Sequence, residues 1–171
     1  MKKIFIIFLV VIFAFDNNAS ANNTDKIKRI FEGKKDAKIT IIAYESLTCG
    51  HCADFHKNVY PKLKEEFIDK GLVKIEFRNF PLDMAAFNAS KIAHCNNNGN
   101  SDLLHVLFSN QKKWAKGENV EEANEHLKKV LKDQGIIIDF EKCIAKKNIE
   151  DYILNDRIEG VKKFKVNATP T

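Results

Sequence analysis

Two cysteines separated by two residues, at the junction of a predicted strand and a predicted helix, constrain this chain most. Cys49 and Cys52 follow the apolar, β-branched run 38–44 and open the amphipathic segment 53–70. A cysteine at a helix start faces the free N–H groups of the first turn and the positive end of the helix dipole. Both favour the thiolate, which is the species that attacks disulfides. The spacing therefore predicts dithiol–disulfide exchange.

In this interpretation Cys49 is the nucleophile and Cys52 is its resolving partner, while Gly50 and His51 modulate the thiolate. A structural disulfide and half of a zinc site are the alternatives. Zinc would need a second cysteine or histidine pair at matching spacing, and neither of the other two cysteines has one. Haem attachment would need histidine directly after the second cysteine, where Ala53 stands. We expect no cofactor and no metal.

The first 21 residues have the features of a secretory signal peptide. Lys2 and Lys3 form a basic start, residues 4–15 are apolar, and the small residues 19–21 suit signal peptidase. The apolar stretch is shorter than the roughly 20 residues that span a bilayer as a helix, which argues against an uncleaved anchor. We expect cleavage after Ala21, a mature domain over residues 22–171, and export to a bacterial periplasm.

Composition narrows the function further. The chain carries a net charge of +5, but its lysines are interspersed with acidic residues. The sequence has no basic stripe with interleaved aromatics, which is the pattern that would predict nucleic-acid binding. Four cysteines suit an oxidising compartment. We therefore expect Cys95 and Cys143 to form a structural disulfide between two helical segments. Two buried free thiols are the alternative.

Hydrophobic periodicity gives a coarse map of the elements. One or two helical turns are expected over residues 25–31, and a second strand over 72–77. Five helices are expected over 84–96, 101–115, 120–132, 139–145 and 148–163, with Leu104, Phe108 and Trp114 in the core. Lys165 and Val166 are expected to begin another strand.

The helix after the cysteine pair shows one apolar stripe. Phe55, Val59, Leu63 and Phe67 recur every four residues, which places them on one predicted face. His56 falls on the polar side and is expected to face solvent. Pro61 is expected to kink this helix.

The combination of these features resembles the DsbA-like thiol:disulfide oxidoreductases. The matching residues are YESLTCGHCADFH at 44–56, FRNFPLD at 77–83, LFSNQ at 107–111 with Trp114, and VNATPT at 166–171. The resemblance implies an α/β fold: a thioredoxin-like core over 38–80 and 164–171 with an inserted all-helical subdomain over 82–163. Such folds continue beyond Thr-Pro-Thr with a hairpin and a helix. We therefore expect a chain truncated before the last strands and the C-terminal helix.

The resemblance also implies roles for further residues. Pro170 would be a cis-proline facing the cysteine pair, and Thr169 would lie beside the two sulfurs. Relatives often carry a buried acid on the strand, six residues before the first cysteine, which helps move protons to the second cysteine; this chain has Ala43 there. Glu45 lies two residues along on the same strand face. It either takes over that role or is a surface acid at the strand end.

The function implied is the introduction of disulfides into reduced exported proteins by exchange at the cysteine pair. A DsbB-like, quinone-linked membrane protein would reoxidise a monomeric enzyme, by the same resemblance. A disulfide isomerase, a reductase or a thiol donor for cytochrome maturation is the alternative among enzymes. Outside the enzymes, the alternative is an exported binding or scaffold domain whose cysteine pair is a structural disulfide.

Overall fold

A small mixed sheet organises the fold. The computed structural model describes residues 26–171, so the predicted signal peptide over 1–21 lies outside the described residues. The strands are β1 (Ile30–Glu32), β2 (Ile39–Glu45) and β3 (Val73–Asn79). The sheet has the order β1-β3-β2, with β1 antiparallel and β2 parallel to the central strand.

The burial pattern of β3 follows the two-residue period of a strand with one face in the core. Val73, Ile75 and Phe77 are buried, while the residues between them are partly exposed. The parallel register places Ile75 opposite Ile41 and Phe77 opposite Ala43. The two strands expected on either side of the cysteine helix are therefore confirmed, to within two residues at each end.

Strand β1 corrects the helical turns expected over residues 25–31. Residues 26–29 have no regular structure, and Ile30–Glu32 is an edge strand. Ile30 pairs with Phe77 and Glu32 pairs with Ile75 on β3. The expectation was wrong because pairing with a strand that is distant in sequence determines the conformation of so short a segment. Local hydrophobic periodicity contains no information about that pairing.

The helix between β2 and β3 alternates between α-helical and π-helical turns. It comprises α1 (Gly50–Asp54), a π-helical segment (Phe55–Val59), α2 (Tyr60–Leu63) and a second π-helical segment (Lys64–Ile68). Pro61 lies in the first turn of α2. A missing backbone N–H costs least at that position, so the helix continues through the proline.

The apolar stripe expected on this helix is wrong at two of its four positions. Val59 and Phe67 are 53% and 42% exposed, whereas Tyr60 and Ile68 are buried. A π-helical turn bonds residue i to i+5 and so rotates everything that follows it. The buried face consequently runs one residue later than the periodicity predicts.

The remaining chain forms six helices. They are α3 (Met84–Ala93), α4 (Asp102–Ser109), α5 (Gln111–Trp114), α6 (Val120–Asp133), α7 (Phe140–Ile144) and α8 (Lys147–Phe164). The segment predicted over 101–115 is thus two helices, which meet at Asn110. Leu104, Phe108 and Trp114 are buried as expected, and the indole N–H of Trp114 donates to the carbonyl of Leu107 at 2.9 Å.

The strand expected at Lys165 and Val166 is wrong. Lys165 has a positive φ of 59° and ends α8, and the N–H of Val166 donates to the carbonyl of Gly160 at 3.0 Å. Val166 is buried beside Tyr44 and Phe80. The backbone at Lys165 and Val166 is therefore that of a helix end and not that of a strand.

Most of the buried apolar residues form one cluster between the sheet and the helices. Within residues 26–171, none of the helices has both the length and the apolar character needed to cross a bilayer. The division into a core over 38–80 and 164–171 and an insertion over 82–163 stays a prediction.

Candidate active site

Cys49 is the N-cap residue of α1 and is partly exposed. Strand β2 ends at Glu45, and in the turn that follows the N–H of Cys49 donates to the carbonyl of Ser46 at 3.0 Å. The carbonyl of Cys49 accepts from the N–H of Ala53 at 3.2 Å, which starts the helix. The first cysteine therefore stands where unpaired helix N–H groups converge.

The surroundings of Cys49 favour its thiolate. Burial alone would raise the pKa of Cys49, but hydrogen bonds from Thr169 and Cys52 oppose it. The backbone N–H of His51 adds to them, and the net result is a pKa below the ordinary value. The side chain of His51 is exposed, and Gly50 has open space where a side chain would lie. In the structure His51 thus acts on the sulfur through its backbone.

Cys52 has the opposite environment. It is fully buried, and burial raises its pKa to about 12, with the charge of Glu45 acting in the same direction. A backbone hydrogen bond from Ser46 opposes this only in part. Cys49 and Cys52 are free thiols in the structure. One sulfur is therefore disposed to attack, and the other is held protonated.

The Thr169–Pro170 segment faces the first sulfur. The peptide bond between these residues is cis, and Sγ of Cys49 donates to the carbonyl of Thr169 at 3.3 Å. The hydroxyl of Thr169 is buried beside the two cysteines and acts on both thiols in the direction that lowers the pKa. Tyr44 and Thr171 exchange two backbone hydrogen bonds of 2.8 and 3.2 Å, which hold this segment beside β2.

Gln111 supports the loop that carries the cysteines. Its side-chain amide nitrogen lies 2.9 Å from the carbonyl oxygens of both Leu47 and Cys49. Gln111 is buried, so these bonds satisfy two backbone acceptors in the core. Gln111 lies in the segment 107–111 that matches the DsbA-like family. No feature of the neighbouring sequence, however, indicated its hydrogen bonds to the cysteine loop.

A second anchor comes from the loop after β3. The hydroxyl of Thr48 donates to Asp83 at 2.7 Å, and the other carboxylate oxygen of Asp83 caps α3 by accepting from the N–H of Ala86 at 2.7 Å. The N–H of Leu82 lies 3.3 Å from the hydroxyl of Ser46. These bonds connect the cysteine loop to the start of α3.

Glu45 is not a surface acid, so that alternative is wrong. It is 5% exposed, and its Oε2 lies 2.9 Å from Nε2 of His56. Its other oxygen, Oε1, is buried and has no hydrogen-bond partner in the described structure. The charge of Glu45 acts on Cys52, which places the acid near the second sulfur.

His56 was expected to face solvent, and this is also wrong. Its side chain is 5% exposed, and its ring stacks on Phe108 with 4.0 Å between the ring centroids. Nδ1 of His56 lies 3.1 Å from Nδ1 of His105 on α4. The π-helical segment that begins at Phe55 turns His56 towards the core.

Cys95 and Cys143 are joined by a disulfide. Their Cα atoms are 5.5 Å apart, and the bond connects the turn after α3 to α7 across 48 residues of sequence. Within the part of the chain that the structure describes, no three His, Cys, Asp or Glu side chains are grouped so as to hold a metal ion.

Known proteins are similar to this chain in sequence and in fold. The family model described as thioredoxin matches residues 25–171. The crystal structure of α-DsbA1 from Wolbachia pipientis has 34% sequence identity and a TM-score of 0.74, covering 83% of this chain and 72% of that one. BdbD of Bacillus subtilis, at 24% identity, a TM-score of 0.63 and coverage of 84% and 79%, shares the fold.

A provisionally named protein-disulfide oxidoreductase of Rickettsia bellii is 28% identical over 146 residues. The match covers 81% of this chain and 54% of the relative, so the chain spans about half of that protein's length. The family model covers nearly all of the described residues, and α-DsbA1 is more than 30% identical over most of both chains. This chain therefore belongs to the DsbA-like thiol:disulfide oxidoreductases of the thioredoxin family.

Proposed function

We propose that the protein oxidises pairs of thiols in other polypeptides by exchange with a Cys49–Cys52 disulfide. A substrate thiolate attacks the sulfur of Cys49, the bond between the two cysteines breaks, and Cys52 leaves as a thiolate that takes up a proton. The second substrate thiolate then attacks the substrate sulfur of the mixed disulfide and releases Cys49 as a thiolate. Two electrons pass from the substrate to the cysteine pair.

The asymmetry between the two cysteines carries this proposal. Cys49 is partly exposed with a lowered pKa, and Cys52 is fully buried with a pKa raised to about 12. Hydrogen bonds that favour the Cys49 thiolate stabilise the reduced form, and a stabilised reduced form makes the disulfide a stronger oxidant. Opposite pKa shifts of the two cysteines favour thiol–disulfide exchange, whereas a structural disulfide does not depend on them.

The setting and the partners belong to the same proposal. The features of residues 1–21 support export with cleavage after Ala21, and reduced exported proteins would then be the substrates. A DsbB-like membrane protein linked to quinone would reoxidise the pair, and the enzyme would act as a monomer. Cell fractionation tests export, because recovery of the protein only from the cytoplasm would contradict it. N-terminal sequencing of the periplasmic protein tests cleavage after Ala21, which an intact Met1 terminus would contradict.

The equilibrium between the cysteine pair and glutathione tests the activity. For an oxidase we expect the reduced form to predominate in a buffer that leaves structural disulfides oxidised. A strongly reducing pair would indicate a reductase or an isomerase instead.

A Cys52→Ser variant supplies the matched experiment. It should accumulate a mixed disulfide with an unfolded substrate whose single cysteine carries glutathione. The Cys49 thiolate attacks the substrate sulfur, glutathione leaves as a thiolate, and neither Cys52 nor a second substrate thiol is present to break the new bond. Cys49→Ser is the control and should trap nothing. Equal trapping by both variants would contradict the assignment of Cys49 as the attacking residue.

A further inference from the structure

Four ionisable side chains form a continuous line from the interior to the surface. Oε2 of Glu45 lies 2.9 Å from Nε2 of His56, and the Nδ1 atoms of His56 and His105 are 3.1 Å apart. Nε2 of His105 lies 2.5 Å from Oε1 of Glu32. The side chains of Glu45 and His56 are 4% and 5% exposed, whereas that of His105 is 28% exposed. The line therefore opens to solvent at His105.

The far end of this line carries a negative charge. Glu32 accepts hydrogen bonds from the hydroxyls of Ser101 and Tyr60 as well as from His105. Burial by itself would raise the pKa of Glu32, but these bonds outweigh it and lower the pKa to about 2. An ionised carboxylate can only accept, so Nε2 of His105 must carry a hydrogen.

The same reasoning fixes the protons along the rest of the line. When Glu45 is ionised, Nε2 of His56 must also carry a hydrogen. The contact between the two Nδ1 atoms needs one hydrogen and one lone pair. The two imidazole rings thus share three hydrogens over four nitrogens and hold one positive charge between two carboxylates. That extra proton can move from His105 to His56 without any change of partner.

We propose that His56 and His105 form a proton path between solvent and Glu45, the acid that the family resemblance implies would move protons to and from Cys52. The inference rests on the proposed exchange activity. When Cys52 leaves as a thiolate, the Nε2 hydrogen of His56 passes to Glu45 and from Glu45 to the thiolate, so that Glu45 ends ionised as it began. His56 takes the hydrogen of His105 at Nδ1, which leaves both rings neutral. The rings then reorient, and the exposed His105 takes up one proton from water, which restores three hydrogens to the pair. Oxidation of the pair runs the same transfers backwards.

The position of Glu45 fits this role. Cys52 and His56 are four residues apart on the buried side of one helix, and Glu45 contacts His56 from the end of β2. The unpartnered Oε1 of Glu45 is the atom left to serve the thiol. Phe77 and Phe108 pack on His56, with ring centroids 5.5 and 4.0 Å away, which keeps water from the inner part of the path.

Other charged or titratable groups face the path without interrupting it. Tyr60 of α2 donates to Glu32. The hydrogen bond of Lys64 with Asp69 raises the pKa of this lysine, and the charge of Glu32 adds to that effect. Arg78, on β3, and His94, directly after α3, line a small cavity together with Glu45. Neither of them is among the hydrogen-bond partners of Glu45, so within the described residues the bonded route from Glu45 runs through His56.

Substitution at the solvent end tests the path. His105→Gln keeps a hydrogen-bond donor for Glu32 but cannot relay a proton, so reduction of the Cys49–Cys52 disulfide by dithiothreitol should slow by about 10-fold near pH 7 and change its pH profile. His126→Gln, on α6, is the matched control and should keep the wild-type rate. Equal rates and pH profiles for His105→Gln and wild type would overturn the path.

Two further measurements separate the path from structural damage and from the exchange activity itself. Imidazole in solution should restore the rate of a folded His105→Gly variant, and a failure of rescue would contradict the path. In wild type the rate should fall in deuterium oxide, and an unchanged rate would contradict the path even if no variant folds. If wild type exchanges no disulfide at all, the proposed activity fails instead.

Discussion

At the scale of single residues, two cysteines in one turn of helix have opposite acid–base properties. Cys49 lies at the helix start among backbone and side-chain donors, and its pKa is lowered. Cys52 is fully buried, and its pKa is raised to about 12. The two pKa values shift in opposite directions across only three residues of sequence. The first cysteine faces unsatisfied N–H groups, whereas the second faces the core.

The pH dependence of Cys49 alkylation follows from its lowered pKa. In a Cys52→Ser variant the rate with iodoacetamide should reach half of its maximum below the ordinary cysteine pKa of about 8.5. The same thiolate stabilises the folded reduced protein at pH values above the unfolded pKa, and this stabilisation is lost as the pH falls through the folded pKa. The variant unfolded in guanidinium is the control, and a midpoint there equal to that of the native protein would contradict the prediction.

At the scale of elements, the helix that carries the cysteines depends on partners elsewhere in the chain. Its π-helical turns move Tyr60 and Ile68 into the core and turn His56 towards His105. The loop before it depends on Gln111, whose amide bonds two of its carbonyl groups. The geometry of the redox pair is therefore set jointly by β2, this helix and α5.

Loss of the Gln111 amide should loosen that loop. Gln111→Ala leaves the buried carbonyls of Leu47 and Cys49 without this donor, and we expect the free energy of unfolding to fall by about 1–3 kcal/mol. Chemical denaturation measures this change. Gln134→Ala, at an exposed position after α6, is the control and should change stability by less than about 0.5 kcal/mol. Equal losses in both variants would show that the amide has no special role.

The elements that could be predicted from the sequence are those whose conformation is set by residues close to one another in the chain. The strands beside the cysteine helix, its start, and the helices after β3 could be predicted because periodicity and turn residues mark them. Strand β1 could not, because its pairing with β3 is remote in sequence. The contacts of Glu45, His56, His105 and Glu32 join β2, a π-helical turn, α4 and β1, so no spacing in the sequence indicates them.

At the scale of the whole molecule, two buried connections join distant parts of the chain. Asp156 on α8 is 3% exposed and accepts from Arg29 at 2.6 and 2.7 Å. It also accepts from the backbone and side chain of Asn79, at 3.1 and 2.9 Å. The disulfide between Cys95 and Cys143 is the second connection. Together they link the segment before β1, the end of β3, α3, α7 and α8.

Removal of the disulfide should lower stability without abolishing exchange. Cys95→Ala/Cys143→Ala opens a loop spanning 48 residues of sequence, and the chain-entropy model gives a loss of roughly 4 kcal/mol. Denaturation of both proteins with the Cys49–Cys52 pair reduced measures the difference. The glutathione equilibrium of that pair is the control and should match wild type. A folded double variant that no longer exchanges thiols would contradict this separation of roles.

The order of the four cysteines bears on how the molecule is assembled. Four cysteines allow three complete pairings. The structure joins Cys95 to Cys143 and leaves Cys49 and Cys52 as free thiols, so the proposed Cys49–Cys52 disulfide would complete a pairing of neighbours along the chain. A polypeptide emerging from its N-terminus presents these residues in that order. An oxidant that links each newly exposed thiol to the preceding free one produces the native arrangement directly. With such an oxidant, the native arrangement forms by oxidation alone and needs no reshuffling of incorrect bonds.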